Sequence, residues 1–132
     1  TILTPHVKEF DRLTQKHIND FERLESAKQF SIKHRCILVL KGAYTQTVMP
    51  DGNVFFNSTG NAGLAKGGSG DTLTGIILGL LARGYTPPQA ALIGVYIHGS
   101  AADSCLKKIH IESLLATDVI AKLPKAFEKL YE

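Results

Sequence analysis

Apolar residues change their spacing several times along the chain, and each change predicts a new element. Thr1 to Thr4 read as the end of a strand, stopped by Pro5. A short helix is expected from about Val7 to Thr14. Asp20 is placed to cap a second helix, on which Phe21, Leu24, Ala27 and Phe30 recur every three or four residues. His34 and Arg35 lie near its end, where positive side chains suit the helix dipole. Cys36-Ile37-Leu38-Val39-Leu40 is unbroken and apolar, as in a strand covered on both faces, and Lys41-Gly42 ends it. Thr45 to Met49 and Val54 to Phe56 flank Pro50-Asp51-Gly52-Asn53. That is a hairpin signal, because Pro presets one turn dihedral and Gly or Asn accepts a positive one.

A loop of small residues follows, Asn57 to Gly70. The next helix is expected from about Asp71 to Arg83, with Leu73, Ile76, Ile77, Leu80 and Leu81 on one stripe and Gly84 as the stop. Thr86-Pro87-Pro88-Gln89 reads as a capping box with Pro at the first helical position. The helix it opens runs to about Lys107 and leaves almost no polar face, so it should be buried. Thr117-Asp118 start a last amphipathic helix carrying Val119, Leu123, Phe127 and Leu130, with Pro124 expected to kink it.

These elements make an α/β fold. Yet a parallel strand needs neighbours, and a helix apolar all round needs partners on every side. The chain therefore reads as a single partial domain over residues 1–132, part of something longer, and its opening Thr1-Ile2-Leu3 without Met agrees. Charge adds little: 15 Lys and Arg against 12 Asp and Glu give +3, with no long basic run, so no nucleic-acid partner is expected. No apolar run approaches a membrane span and no basic-then-apolar leader is present, so neither membrane nor secretion is expected. Cys36 and Cys105 stand far apart, in no metal spacing, and read as small buried hydrophobes in a reduced cytoplasm. His17, His34 and His110 are single and read as solvated or capping residues, and His98 as a hydrogen-bonded core or interface residue. No protein side chains are expected to form a metal site.

The chemistry concentrates in Gly60-Asn61-Ala62-Gly63-Leu64-Ala65-Lys66-Gly67-Gly68-Ser69-Gly70-Asp71-Thr72. A P-loop needs Gly-Lys followed by Ser or Thr, and a dinucleotide fingerprint needs a glycine where Leu73 stands, so both fail. What remains is Gly-Gly-Ser-Gly-Asp at the mouth of a helix. Its glycines let the backbone turn sharply and leave amides open to an anion. Asp71 would repel a bound phosphate unless it serves as a base taking a proton from a hydroxyl while the amides hold a transferring phosphoryl group. Equally, Asp71 or Ser69 is an N-cap after a flexible loop. Lys66 either approaches phosphate or solvates the loop.

Asn61 to Gly75 resembles the signature of the ADP/ATP-dependent NAD(P)H-hydrate dehydratases, a family of the ribokinase-like superfamily. Leu3-Thr4-Pro5-His6 with Glu9-Phe10 resembles the family's Thr-Pro-His-Pro-Gly-Glu segment, and Val39 to Thr45 its Leu-Lys-Gly-Ala-Gly-Thr segment. His98-Gly99 and Ala116-Thr117-Asp118 are similar to its later helices. The resemblance implies the C-terminal half of a ribokinase-like layered fold, with a mostly parallel sheet, a β-hairpin and flanking helices.

It also implies a repair reaction, in which a nucleotide phosphorylates the ring hydroxyl of hydrated NADH or NADPH and phosphate then departs. Asp71 matches the residue beside that hydroxyl and its base. Gly67, Gly68, Ser69 and Gly70 would form the anion hole, with Gly70 also at the nucleotide. Lys41, Gly42, Ala43, Tyr44 and Thr45 match the nucleotide segment, His6 a contact to the hydrated dinucleotide, and Asn61 a residue that orients phosphate. ADP or ATP is the implied phosphoryl donor, with Mg2+ held through its phosphates. A cytoplasmic homo-oligomer is expected, and the 132-residue piece alone is expected to be inactive. Val7-Lys8 departs from the family's Pro-Gly, and Tyr44 from its Gly; Leu64 for Met conserves volume. A small-molecule kinase, or a domain that binds nucleotide without turnover, are the alternative readings.

Overall fold

β2 (Ile37–Leu40) has all four residues buried, which is what its unbroken apolar run requires. It lies inside a four-stranded sheet of order β1-β2-β3-β4, with β1 at Ile2–Leu3, β3 at Gln46–Val48 and β4 at Val54–Phe56. The computed structural model describes residues 1–132, which divide into two compact units, Thr1–Asn57 and Ser58–Glu132. The whole sheet belongs to the first. The sheet is mixed: β1 and β2 are parallel, with Ile2 opposite Ile37 and Leu3 opposite Leu38, while β2–β3 and β3–β4 are antiparallel. Parallel pairing is thus confined to β1–β2, because only that pair is joined through helices, α1 (Val7–Leu13) and α2 (Asp20–His34). β3 and β4 are joined by the expected tight turn. Gly52 takes φ 89° there, and the Met49 N–H donates to the Asn53 carbonyl at 2.8 Å.

Phe10, Ala27, Leu38, Leu40 and Val48 form the core of this unit. Two sequence expectations are corrected in it. Asn19, not Asp20, caps α2: its side chain accepts from the Glu22 N–H at 2.8 Å, and its extended dihedrals place it just outside the helix. His17 is not solvated. Its ring is buried, stacks on Phe10 at 5.7 Å, and its Nδ1 lies 2.7 Å from Asp11 Oδ1. Asp11 also receives Arg23 Nε at 3.2 Å. The His17 hydrogen bond, then Arg23, holds the Asp11 carboxyl below its ordinary value.

The second unit is helical: α3 (Ser69–Ala82), α4 (Pro87–Cys105) and α5 (Ala116–Leu130). α4 packs against both other helices and buries Ala90, Ala91, Val95, Ile97, Ala101, Ala102 and Cys105, as a helix without a polar face must. Ile97, Ala102, Leu114, Val119 and Ala126 centre the core. The Thr86–Gln89 capping box forms as expected, with Thr86 N donating to Gln89 Oε1 at 3.0 Å. Gly84, at φ 92°, closes α3, and the Tyr85 N–H returns to the Leu80 carbonyl at 3.2 Å. α5 continues on both sides of Pro124. The carbonyl that Pro124 deprives of a partner is that of Ile120, a half-exposed residue that water can reach. Cys36 and Cys105 are buried free thiols whose pKa values burial pushes up. No helix is long and apolar enough to cross a membrane.

Candidate active site

The glycine loop ends where α3 begins, two residues earlier than the sequence suggests. Gly68 takes the cap position at φ 86°, a conformation that costs a side-chain-bearing residue energy, so Ser69 and Gly70 wind into the helix. Neither Ser69 nor Asp71 is therefore the N-cap, and no side chain caps this helix. Ser69 N–H donates to the Lys66 carbonyl at 3.3 Å and Thr72 N–H makes the first helical bond, to Gly68, at 3.0 Å. The N–H groups of Gly70 and Asp71 between them find no acceptor within this unit. Open amides at the positive end of a helix dipole form an anion cradle.

Asp71 stands on the first turn of α3, exposed, with no hydrogen bond drawing its carboxylate into the fold. It marks one end of an open groove of about 780 Å³ between α3 and α5. Gly75 and Gly79 leave the α3 wall bare, Ile76 and Leu80 of α3 with Leu123 and Phe127 of α5 make the groove apolar, and Arg83 stands at the other end. Ser69 is buried, and its Oγ lies 3.5 Å from His98 Nε2 on α4. His98 is buried and hydrogen-bonded, as expected of a core or interface residue, although its spacing gave no sign of Ser69.

The start of the loop is held more firmly than its composition suggests. Asn61 accepts the Gly63 N–H through Oδ1 at 3.0 Å and donates through Nδ2 to Asp103 Oδ1 at 2.9 Å. Asp103 Oδ2 also accepts the Gly60 N–H at 2.9 Å. Lys66 Nζ reaches the Glu112 carbonyl, which ties the middle of the loop down. Asp103 and Glu112 escaped the sequence reading because both are distant polar residues in no recognisable spacing.

In the first unit, His6 and Lys41 meet as a parallel bridge just beyond the carboxyl ends of β1 and β2. His6 caps α1: its Nδ1 accepts from Glu9 N at 3.1 Å while Glu9 Oε2 accepts from His6 N at 2.7 Å. That backbone bond holds the Glu9 carboxyl below its ordinary value. Lys41 to Thr45 form an open turn between β2 and β3, closed by Thr45 Oγ1 donating to the Gly42 carbonyl at 3.3 Å. Gly42, Ala43 and Tyr44 are exposed, and a side chain at Gly42 would meet nothing. The predicted site residues therefore fall into two groups, His6 with Lys41–Thr45 and Asn61 with Gly67–Asp71. No three His, Cys, Asp or Glu side chains come together in a metal-holding group.

A profile of the NAD(P)H-hydrate dehydratase family matches residues 1–125. The chain is 42% identical over 130 residues to the ADP-dependent (S)-NAD(P)H-hydrate dehydratase of Bacillus subtilis, covering 97% of this chain and 47% of that protein. It is also 42% identical over 134 residues to the bifunctional NAD(P)H-hydrate repair enzyme of Moorella thermoacetica, covering 99% of this chain and 25% of that one. The chain thus spans about half the length of the first relative and a quarter of the second. Among solved structures, the Bacillus subtilis ADP/ATP-dependent enzyme co-crystallised with ATP and Mg2+ superposes with a TM-score of 0.90 at 42% identity, over 97% of this chain and 47% of that one. A ribokinase-like superfamily protein of Enterococcus faecalis superposes at 0.79 with 33% identity, over 97% and 44%.

Proposed function

We propose, from the premise that the chain belongs to the NAD(P)H-hydrate dehydratase family, that the complete protein carrying it restores hydrated NADH or NADPH at the expense of ADP or ATP. The observation that carries this reading is the pairing of a free carboxylate, Asp71, with the uncapped amides of Gly70 and Asp71 on one helical turn. Hydroxide leaves a ring carbon poorly and phosphate leaves well. Asp71 would take the proton of the ring hydroxyl as that oxygen attacks the terminal phosphorus of the nucleotide and the anhydride bond breaks, releasing AMP from ADP or ADP from ATP. The amides of Gly67, Gly68, Gly70 and Asp71 would hold the charge that gathers on the phosphoryl oxygens, whereas the Ser69 N–H, expected among them, is spent on the Lys66 carbonyl. The carbon–oxygen bond then breaks, phosphate leaves with the bonding electrons, and loss of the neighbouring ring proton to solvent restores the dihydronicotinamide.

Other residues take supporting roles in this reading. Gly70 also lies at the nucleotide, and Lys41 to Thr45 form its second binding segment, with Tyr44 exposed where a ring can stack. His6 binds the hydrated dinucleotide and Asn61 orients phosphate. Mg2+ would travel on the nucleotide phosphates, keeping several of its waters, and no step above is routed through it. A homo-oligomer in the cytoplasm remains part of the reading. Incubating the complete protein with hydrated NADH and ADP, ATP or neither tests it. Nucleotide-dependent return of the reduced nicotinamide absorbance supports dehydration. Nucleotide consumption with a stable phosphorylated product indicates an ordinary kinase, and binding without turnover a non-catalytic domain.

A further inference from the structure

Residues Tyr96, Gly99 and Asp103 of α4 are spaced i, i+3, i+7 and so form one stripe along the helix. All three grip the same short segment, Thr59 to Asn61. Thr59 Oγ1 donates to the Tyr96 carbonyl at 3.0 Å. Gly99 lets the segment lie directly on the helix: a Cβ there would stand 2.3 Å from Thr59 Oγ1 and 2.8 Å from Gly60 N. One turn further, the Asp103 carboxylate takes one donor on each oxygen, Gly60 N–H and Asn61 Nδ2, both at 2.9 Å.

We propose that Asp103 is a positioning residue for the glycine loop, acting through Asn61. A carboxylate is acceptor-only, so it dictates which end of the Asn61 amide faces it. With Nδ2 committed to Asp103, Oδ1 is turned to the Gly63 N–H at 3.0 Å and starts the turn Ala62–Leu64. Gly63 is closely surrounded there: a Cβ on it would lie 2.9 Å from Asn61 Oδ1 and 3.2 Å from the Ile111 carbonyl oxygen. The loop then runs from a start fixed by Asp103 to an end fixed by the helical turn of α3. One N–H of the Asn61 amide is used by Asp103, which leaves its second N–H for an anion. This rests on the functional reading above, in which Asn61 orients phosphate.

The test is Asp103→Asn in the complete protein. An amide at 103 keeps one acceptor and presents a donor to the other partner, so one of the two bonds is lost without change of size. Misplacing a positioned group costs up to about 10²-fold in rate, so kcat should fall about 10- to 100-fold while the nucleotide KM holds. Amide hydrogen exchange at Gly60 and Gly63 should quicken. In an Asn61→Ala background the same change should add little, because the two act as one unit. Unchanged exchange, unchanged kcat, or a full additional loss in the Asn61→Ala background would each overturn the proposal, as would a collapse of the melting temperature. Exchange is read without turnover. A wild-type protein that dehydrates nothing, yet whose exchange at Gly60 and Gly63 responds to Asp103→Asn, contradicts the functional reading and leaves the positioning contact standing.

Discussion

The Lys41 N–H donates to the Pro5 carbonyl at 3.0 Å, and His6 and Lys41 thereby stand as bridge partners at the end of the parallel strand pair. Two segments 35 positions apart, one read as a dinucleotide contact and one as a nucleotide turn, are neighbours. Their roles can still be separated, because His6 has a second task as the cap of α1. His6→Ala should cost about 1 kcal/mol of stability, the usual loss on removing a capping side chain. His6→Asn should recover most of it, since Asn caps well, but should remain weak for the hydrated dinucleotide. Neither change should move nucleotide affinity, whereas Tyr44→Gly should. Melting curves and two titrations decide; parallel shifts in nucleotide binding at His6 and Tyr44 would contradict separate roles.

Much of this was legible in the sequence, for identifiable reasons. The buried strand, the hairpin and the Thr86–Gln89 box depend on local chemistry that few other conformations satisfy. The glycine loop was legible because its composition has few uses. Helix starts were less so: Asn19 against Asp20, and Gly68 against Asp71, differ by where extended or left-handed dihedrals fall, which neighbouring cap-forming residues do not distinguish. His17 and Asp103 were misread or missed because their partners, Asp11 and Gly60–Asn61, are brought to them by tertiary packing.

Glycines on α3 and α4 should respond oppositely to the same change. Gly99→Ala drives a methyl to 2.6 Å from the Thr59 carbonyl carbon, a backbone atom that cannot rotate away. The expected loss is about 1–3 kcal/mol. Gly79→Ala meets nothing within 4 Å and should gain up to about 1 kcal/mol from helix propensity. Chemical denaturation of the two variants checks the pair, and equal effects would contradict the packing described.

Acid sensitivity should be traceable to Asp11. Its carboxyl is held below the ordinary 3.8 by His17 first and Arg23 second. A carboxylate with a depressed folded-state pKa contributes stability above its unfolded pKa and loses it as pH falls through the folded value. Asp11→Asn should therefore lower the melting temperature near neutral pH, and the gap to wild type should close well below 3.8. A gap that stays constant with pH would mean the cluster contributes through packing alone.

Asp71 carries the central claim, and one variant of the complete protein tests it. Asp71 is exposed at the third position of α3 and caps nothing, so Asp71→Asn should change stability by no more than about 1 kcal/mol, the worth of a carboxylate near a helix N-terminus. An amide cannot accept the hydroxyl proton, and a general base is worth about 10²–10⁴ in rate. Nucleotide affinity should hold or tighten, because a negative charge beside the phosphates is removed. The measurement is the turnover of hydrated NADH by Asp71→Asn, with saturating nucleotide, on protein whose melting curve matches wild type. A fall of about 10²-fold or more is the predicted result; near-normal turnover would contradict Asp71 as the base and the mechanism built on it.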